Sequence, residues 1–250
     1  MSILLQKLWR DQDLRDYEEI ILRWTKQPPT IPIVQYLRDE EKRRALELIE
    51  DSRIVLDIGS EIKVTLTLNI LASKVIRVDF SKKASEIAKD TIQKKQAHNA
   101  VFEFYHIDVR NPKLPYPSTY FDAAISIGPY DWKFLDVHKL TSEIYRVLKP
   151  GGKFVFSVPT KLSPYKRKES ERIFRYYSLD ELFDLISIEN WKDVRFSLIY
   201  QPPRKAYIFL SLLPQLFQKP FIDLFKYLSR RLTESQNLSK ASYIVTCLQK

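Results

Sequence analysis

A chain of 250 residues with 44% hydrophobic, 13% aromatic and 29% charged content is long enough for one large α/β domain, or one domain with a small appendage, and is not composed like a disordered protein. Its net charge of +10 leaves two readings open: an anionic partner (nucleic acid, an acidic membrane surface or a phosphorylated small molecule) or a solvated basic surface. A single cysteine, Cys247, excludes an intramolecular disulfide and a Cys-rich zinc site, and His98, His106 and His138 show no metal-ligand spacing, so no metal is expected.

The opening MSILLQKLWRDQDLRDYEE turns charged before any long apolar run, which argues against a secretory signal and for the cytoplasm. No run approaches the ~20 apolar residues of an ordinary membrane-spanning helix. Residues 3–26 space Ile3, Leu4, Leu8, Leu14, Tyr17, Ile20, Ile21 and Trp24 as an amphipathic helix, and Pro28, Pro29 and Pro32 break it. A second helix over 38–50 is mostly polar, with Leu46 and Ile49 on one face. Strands over 53–57, 75–78, 101–107, 122–127 and 153–158 then alternate with helices, among them 83–95 and 136–149. Near-continuous apolar strands in that rhythm predict a doubly wound parallel sheet. After Pro159 comes a basic, aromatic loop over 160–176, then Ser178 with Glu181 as a capping box. Strands over 194–200 and 242–248 enclose an apolar stretch punctuated by Pro214 and Pro220, which implies an antiparallel edge.

Only four glycines are present: Gly59, Gly128, Gly151 and Gly152. The first strand ends in VLDIG, so Gly59 makes a turn at a strand's carboxyl end ahead of a helix, where open α/β sheets hold cofactors. Asp79 stands 22 residues after Asp57, at the end of the next strand, where a carboxylate can accept both hydroxyls of a ribose. Asp108 ends the third strand, within reach of an adenine amino group. Each acid is equally a common turn residue.

The pieces VLDIGS (55–60), VIRVDFS (75–81), HIDVRNPKLPYPSTYFDAAIS (106–126) and EIYRVLKPGGKFVFSVP (143–159) resemble the class I, type 11 S-adenosylmethionine-dependent methyltransferases in order and spacing. The resemblance covers Asp57 to Pro159 and implies a Rossmann-like, mostly parallel sheet with an antiparallel C-terminal edge strand. It implies that Asp57, Gly59, Ser60 and Glu61 surround the amino-acid end of S-adenosylmethionine. It further implies that Asp79 binds the ribose, Phe80 packs on the adenine, Asp108 and Val109 bracket that ring, and Ser126 and Ile127 border the methionine moiety. Gly151 and Gly152 would be structural, ending a helix with positive φ. The family's loop normally has two more glycines where this chain has Glu61 and Lys63. If positive φ is needed there, each non-glycine costs roughly 1–2 kcal/mol.

The domain reading that follows is N-terminal helices as a cap or lid (1–52), a methyltransferase-like domain (53–200 and 241–250), and an apolar helical insertion near the acceptor side (201–240). Methyl transfer to a small-molecule or lipid-like acceptor is the expected function. The alternatives are a catalytically silent binding or scaffold protein, or an RNA methyltransferase. Tyr130, Asp131 and His138 are the candidate catalytic residues, Asp131 or His138 as a base and Tyr130 or Trp132 as a stacking surface or a hydrophobic cap. Residues 206–231 make an apolar helical face bracketed by basic residues, either a roof on the sheet or a peripheral membrane contact. The loop cations Lys161, Lys166, Arg167, Lys168, Arg172 and Arg175 either grip phosphates or are solvated.

Overall fold

Alternating apolar strands and helices build an α/β sandwich in the computed structural model, which describes residues 12, 14–23, 30–49, 52–95, 99–107 and 112–250. The helix expected over 3–26 is described over residues 14–23 (α1). The remaining helices are α2 (Pro32–Leu48), α3 (Ile62–Leu71), α4 (Lys82–Lys94), α5 (Val137–Val147), α6 (Ser170–Ile173), α7 (Leu179–Ile186), α8 (Arg204–Leu212) and α9 (Gln215–Ser235). The strands are β1 (Ile54–Ile58), β2 (Lys74–Asp79), β3 (Val101–His106), β4 (Phe121–Ser126), β5 (Leu148–Pro159), β6 (Asp193–Ile199) and β7 (Tyr243–Gln249). They form one seven-stranded sheet in the order β3-β2-β1-β4-β5-β7-β6. β7 runs antiparallel to both neighbours, so the antiparallel C-terminal strand lies one place in from the edge and β6 is outermost.

Side chains along a strand alternate between faces, and each face has its own core. Leu56, Ile58, Phe154 and Phe156 point toward α5 and α7, while Val55, Ile125, Val155 and Val245 point toward α2, α3, α8 and α9. Strand order reverses between β1 and β4, and the carboxyl ends of these two parallel neighbours leave a crevice there. Helix α5 ends at Val147 with Leu148 extended, so the two glycines that follow do not cap it. Gly151 takes φ +79° inside β5, and Gly152 is required by space, since a Cβ there would sit 2.9 Å from the Lys149 carbonyl oxygen.

Helix α2 begins at Pro32, ahead of the expected 38, with proline in its first turn. Its inward stripe runs Ile33, Tyr36, Leu37, Glu40, Glu41, Arg44, Ala45, so three charged residues are buried with the apolar ones. Arg44 is neutralised by Glu40 at 3.0 Å and donates to Ser197 at 2.7 Å.

The outer edge of β6 would leave peptide groups without partners, and α9 covers it. Leu198 N donates to Thr233 Oγ1 at 2.9 Å, and Tyr200 N donates to Ser229 Oγ at 2.8 Å. Replacing Ser229 and Thr233 together by alanine removes both acceptors and should lower unfolding free energy by about 2–4 kcal/mol, at roughly 1–2 per stranded amide. Urea denaturation measures this, and an unchanged midpoint would show that water reaches the edge.

Candidate functional site

β1 turns at Gly59, whose φ of +59° is a left-handed conformation that glycine takes without strain. A Cβ at Gly59 would meet Pro129 Cγ at 3.0 Å, Phe80 at 3.6 Å and the Tyr17 hydroxyl at 3.7 Å, so only glycine fits. Beyond it the backbone needs no further glycine. Glu61 has φ −53° as the residue before α3, and Lys63 lies within α3, so the strain expected there does not arise. The Glu61 side chain is drawn to Arg38, 3.5 Å away.

A buried guanidinium organises the three strand-end groups beneath this turn. Asp57, Arg77 and Asp79 point to one face and are essentially inaccessible to solvent. Arg77 Nη1 donates to Asp57 Oδ2 at 3.0 Å, to Thr65 Oγ1 at 2.7 Å and to the Ser60 carbonyl at 2.8 Å. Its Nη2 donates to Asp79 Oδ2 at 2.8 Å. The other Asp79 oxygen accepts from Ser81 N at 3.1 Å and from the Tyr17 hydroxyl at 3.2 Å. Burial raises the Asp79 carboxyl above its ordinary range, and the Arg77 charge opposes that shift.

Tyr17 comes from α1, which is held over the crevice by ring contacts. The Tyr17 ring meets Trp132 edge-on at 4.9 Å, and Trp132 packs on Phe174 at 4.7 Å. Trp132 is thus a hydrophobic anchor for α1. On the β4 side, Ser126 Oγ donates to the Ile58 carbonyl at 3.1 Å, and Ile127 N donates to Ser60 Oγ at 3.1 Å. These bonds tie the two strand ends that border the crevice. Phe80 is buried in the α5-side core, and Asp108 and Val109 lie outside the described residues.

Two of the three catalytic candidates are placed away from any such opening. Tyr130 is fully buried, stacks on Phe156 at 4.8 Å and pairs its hydroxyl with Thr141 at 2.8 Å, so it fills the core. His138 is exposed in the first turn of α5. Asp131 remains: its Oδ1 is sealed from solvent with no hydrogen-bond partner. Burial, and after it the charge of Glu41, pushes the Asp131 carboxyl well above its ordinary range, against the pull of Arg38. Burial likewise raises Glu41, on α2, to about 7. Ser157 lies against Glu41 and Gln201 against Tyr165, and Tyr165, Tyr176 and Tyr243 lie within electrostatic reach of Glu41, Asp131 or both. Orphaned buried polar atoms are rare in folded proteins and mark places where a ligand can complete the bonding.

Sequence reading missed Arg77 and Glu41. Arg77 interrupts an apolar strand between two strand-end acids, and Glu41 falls on the i, i+4, i+8 line from Ile33 and Leu37 once α2 is started at Pro32. Of the loop cations, Lys161 pairs with Glu181, Lys166 with Glu171 and Arg172 with Asp16, while Arg175 lies over the Tyr177 ring. Replacing Arg77 by methionine strands the buried acids and should cost about 3–5 kcal/mol near neutral pH. The loss should shrink as pH falls and Asp79, already raised, takes up a proton. Chemical denaturation at pH 7.5 and 5 checks both the size and the sign.

Comparison with known proteins agrees with this geometry. Residues 56–156 match the family model described as a methyltransferase domain. Over 152 residues, 60% of the chain, it is 29% identical to sterol 4-C-methyltransferase of Caenorhabditis elegans, and it spans 43% of that relative's length. Among solved structures, a SAM-dependent methyltransferase from Thermotoga maritima superposes with a TM-score of 0.59 at 18% identity, covering 95% of both chains. Geranyl diphosphate C-methyltransferase from Streptomyces coelicolor gives 0.54 at 13% identity, over 84% of this chain and 74% of that one. The structural likenesses speak to the fold, while the family model falls on the strands and turns that form the crevice. Residues 56–156 thus carry a methyltransferase domain, and that match falls on the segments that resemble the class I, type 11 S-adenosylmethionine-dependent methyltransferases.

Proposed function

We propose that the chain transfers a methyl group from S-adenosylmethionine to a small-molecule or lipid-like acceptor bound beside Asp131 and Glu41. One observation supports this above the others. Two buried, raised carboxyls, Glu41 and Asp131, lie within electrostatic reach of each other just beyond the carboxyl end of β4, and Asp131 Oδ1 has no hydrogen-bond partner. Similarity to a sterol methyltransferase favours an acceptor of lipid-like chemistry. Ion pairing of the 160–176 loop leaves it fewer cations for a phosphate backbone, which counts against RNA.

The residues present fit the cofactor. Tyr17 donates to Asp79 an O–H of the kind a ribose offers, so a nucleoside would take that bond once α1 withdraws. Asp79 would hold the ribose, the Gly59 turn would let the cofactor approach the main chain, and Ser60, Ser126 and Ile127 would border its methionine end. When bound, S-adenosylmethionine supplies a methyl group that leaves its positively charged sulfur without the bonding electrons. The chain's own task is to align the acceptor and receive any proton it gives up. The ionised member of the Glu41–Asp131 pair would take that proton, with Arg38 steadying the negative charge.

A second reading, a catalytically silent binding protein, draws on one fact: Asp79 is already satisfied by Tyr17, Ser81 and Arg77. Titration calorimetry with S-adenosylhomocysteine separates the two. Enzyme function predicts saturable binding, tightened about fivefold in Tyr17→Phe, where one competing hydrogen bond worth ~1 kcal/mol is gone. No binding to either protein at about millimolar ligand, well above the affinity of a working site, would establish the silent reading.

For an acceptor that loses a proton, kcat should rise with pH to a plateau above about 7, because the base acts when ionised. Glu41→Gln should lower kcat by about 10²-fold. The limb that Glu41 sets near 7 should be displaced, because Asp131, raised first by its own burial, then titrates in its place. Affinity for S-adenosylhomocysteine should not change. An unshifted limb would remove the pair from the chemistry.

A further inference from the structure

We propose that the consecutive helices α8 and α9 dock this chain on an anionic lipid bilayer, lying along its surface. The two helices have faces of opposite use. Their inner face is spoken for: Tyr207, Leu210 and Phe225 are buried, and Gln218 Oε1 accepts from Ile33 N at 3.1 Å in the first turn of α2. Their outer face exposes large apolar side chains, most strongly around the bend. Leu212 and Leu216 are each 79% exposed, Phe209 63% and Phe217 60%, with Ile208, Leu224 and Tyr227 also exposed. A contiguous apolar patch of this kind marks an interaction surface.

Charge selects the occupant. Residues 206–218 contain no Asp, Glu, Lys or Arg, and exposed cations bracket them: Arg204 and Lys205 before, Lys219, Lys226, Arg230 and Arg231 after. Asp223 is the single acid between 204 and 231. An apolar tip in a basic collar suits an acidic bilayer, where aliphatic groups enter the acyl boundary and lysines and arginines meet phosphates. A second copy of the chain would set one basic collar against another. Among the described residues, no helix is long and apolar enough to cross a membrane, so α8 and α9 would lie in the interface.

The position links the surface to the site. Helix α8 follows the carboxyl end of β6, and the buried Tyr207 hydroxyl donates to Tyr165 at 2.9 Å, beside the Glu41–Asp131 pair. A lipid-like acceptor would therefore reach that pair from the bilayer, a route that rests on the proposed methyl transfer; the docking itself does not.

Cosedimentation with vesicles tests it. The full chain should bind phosphatidylcholine vesicles containing about one-third phosphatidylserine, and at least about tenfold less to pure phosphatidylcholine. Leu216→Glu with Phe217→Glu should reduce binding by at least about tenfold. An unchanged thermal melt and unchanged S-adenosylhomocysteine binding would show that these exposed positions left the fold intact. Equal binding to both vesicle types, equal binding by the double variant, or none at all overturns the proposal. So does a wild-type dimer in solution that the double variant abolishes, because the face then belongs to a second copy. Vesicle binding without S-adenosylhomocysteine binding keeps the docking surface and overturns the enzyme.

Discussion

The buried guanidinium of Arg77 is the interaction on which the crevice depends. Two carboxylates withdrawn from water at adjacent strand ends stay ionised only with a cation between them, because each buried, unpaired charge costs several kcal/mol. Arg77 meets Asp57 and Asp79 with different nitrogens and uses Nη1 again on Thr65 and the Ser60 carbonyl. One side chain therefore fixes β1, β2, the first turn of α3 and the loop that follows Gly59. The acid expected to face a ribose is set in place from behind through one oxygen, while Ser81 N and the Tyr17 hydroxyl meet the other.

The two halves of the crevice are balanced differently. At the ends of β1 and β2 the charges of Asp57, Arg77 and Asp79 are paired, with Arg77 Nε left without a partner, which suits a rigid cradle. Beyond β4, Glu41, Asp131 and Glu61 lie within reach of the Arg38 charge, and Asp131 Oδ1 stays unpartnered. An unpaired carboxyl held away from water resists ionisation, and that is how a base is tuned toward neutral pH. Under the proposed function, rigidity falls where a nucleoside would be read and the raised carboxyls where a proton would move.

Much of the fold was legible because parallel strands buried on both faces read as short apolar runs, as in 54–56 of β1, 123–125 of β4 and 154–156 of β5. The capping box at Ser178 was equally plain, being local and two-sided. Helix α2 was misjudged because its buried stripe includes Glu40, Glu41 and Arg44, so polarity concealed an inward face. The glycine-poor loop looked strained only on the assumption that three positive φ values were needed, whereas Gly59 alone takes one there. Tyr17 on Asp79 joins residues 62 positions apart, and no local pattern announces such a contact.

Under the proposed function, the crevice beside Gly59 holds a nucleoside whose ribose replaces Tyr17 on Asp79. A crystal structure grown with saturating S-adenosylhomocysteine should show ligand beside Gly59, ribose hydroxyls within hydrogen-bonding distance of Asp79, Arg77 unmoved, and the Tyr17 hydroxyl displaced with α1. A crevice without ligand, with Tyr17 still bonded to Asp79, would contradict it.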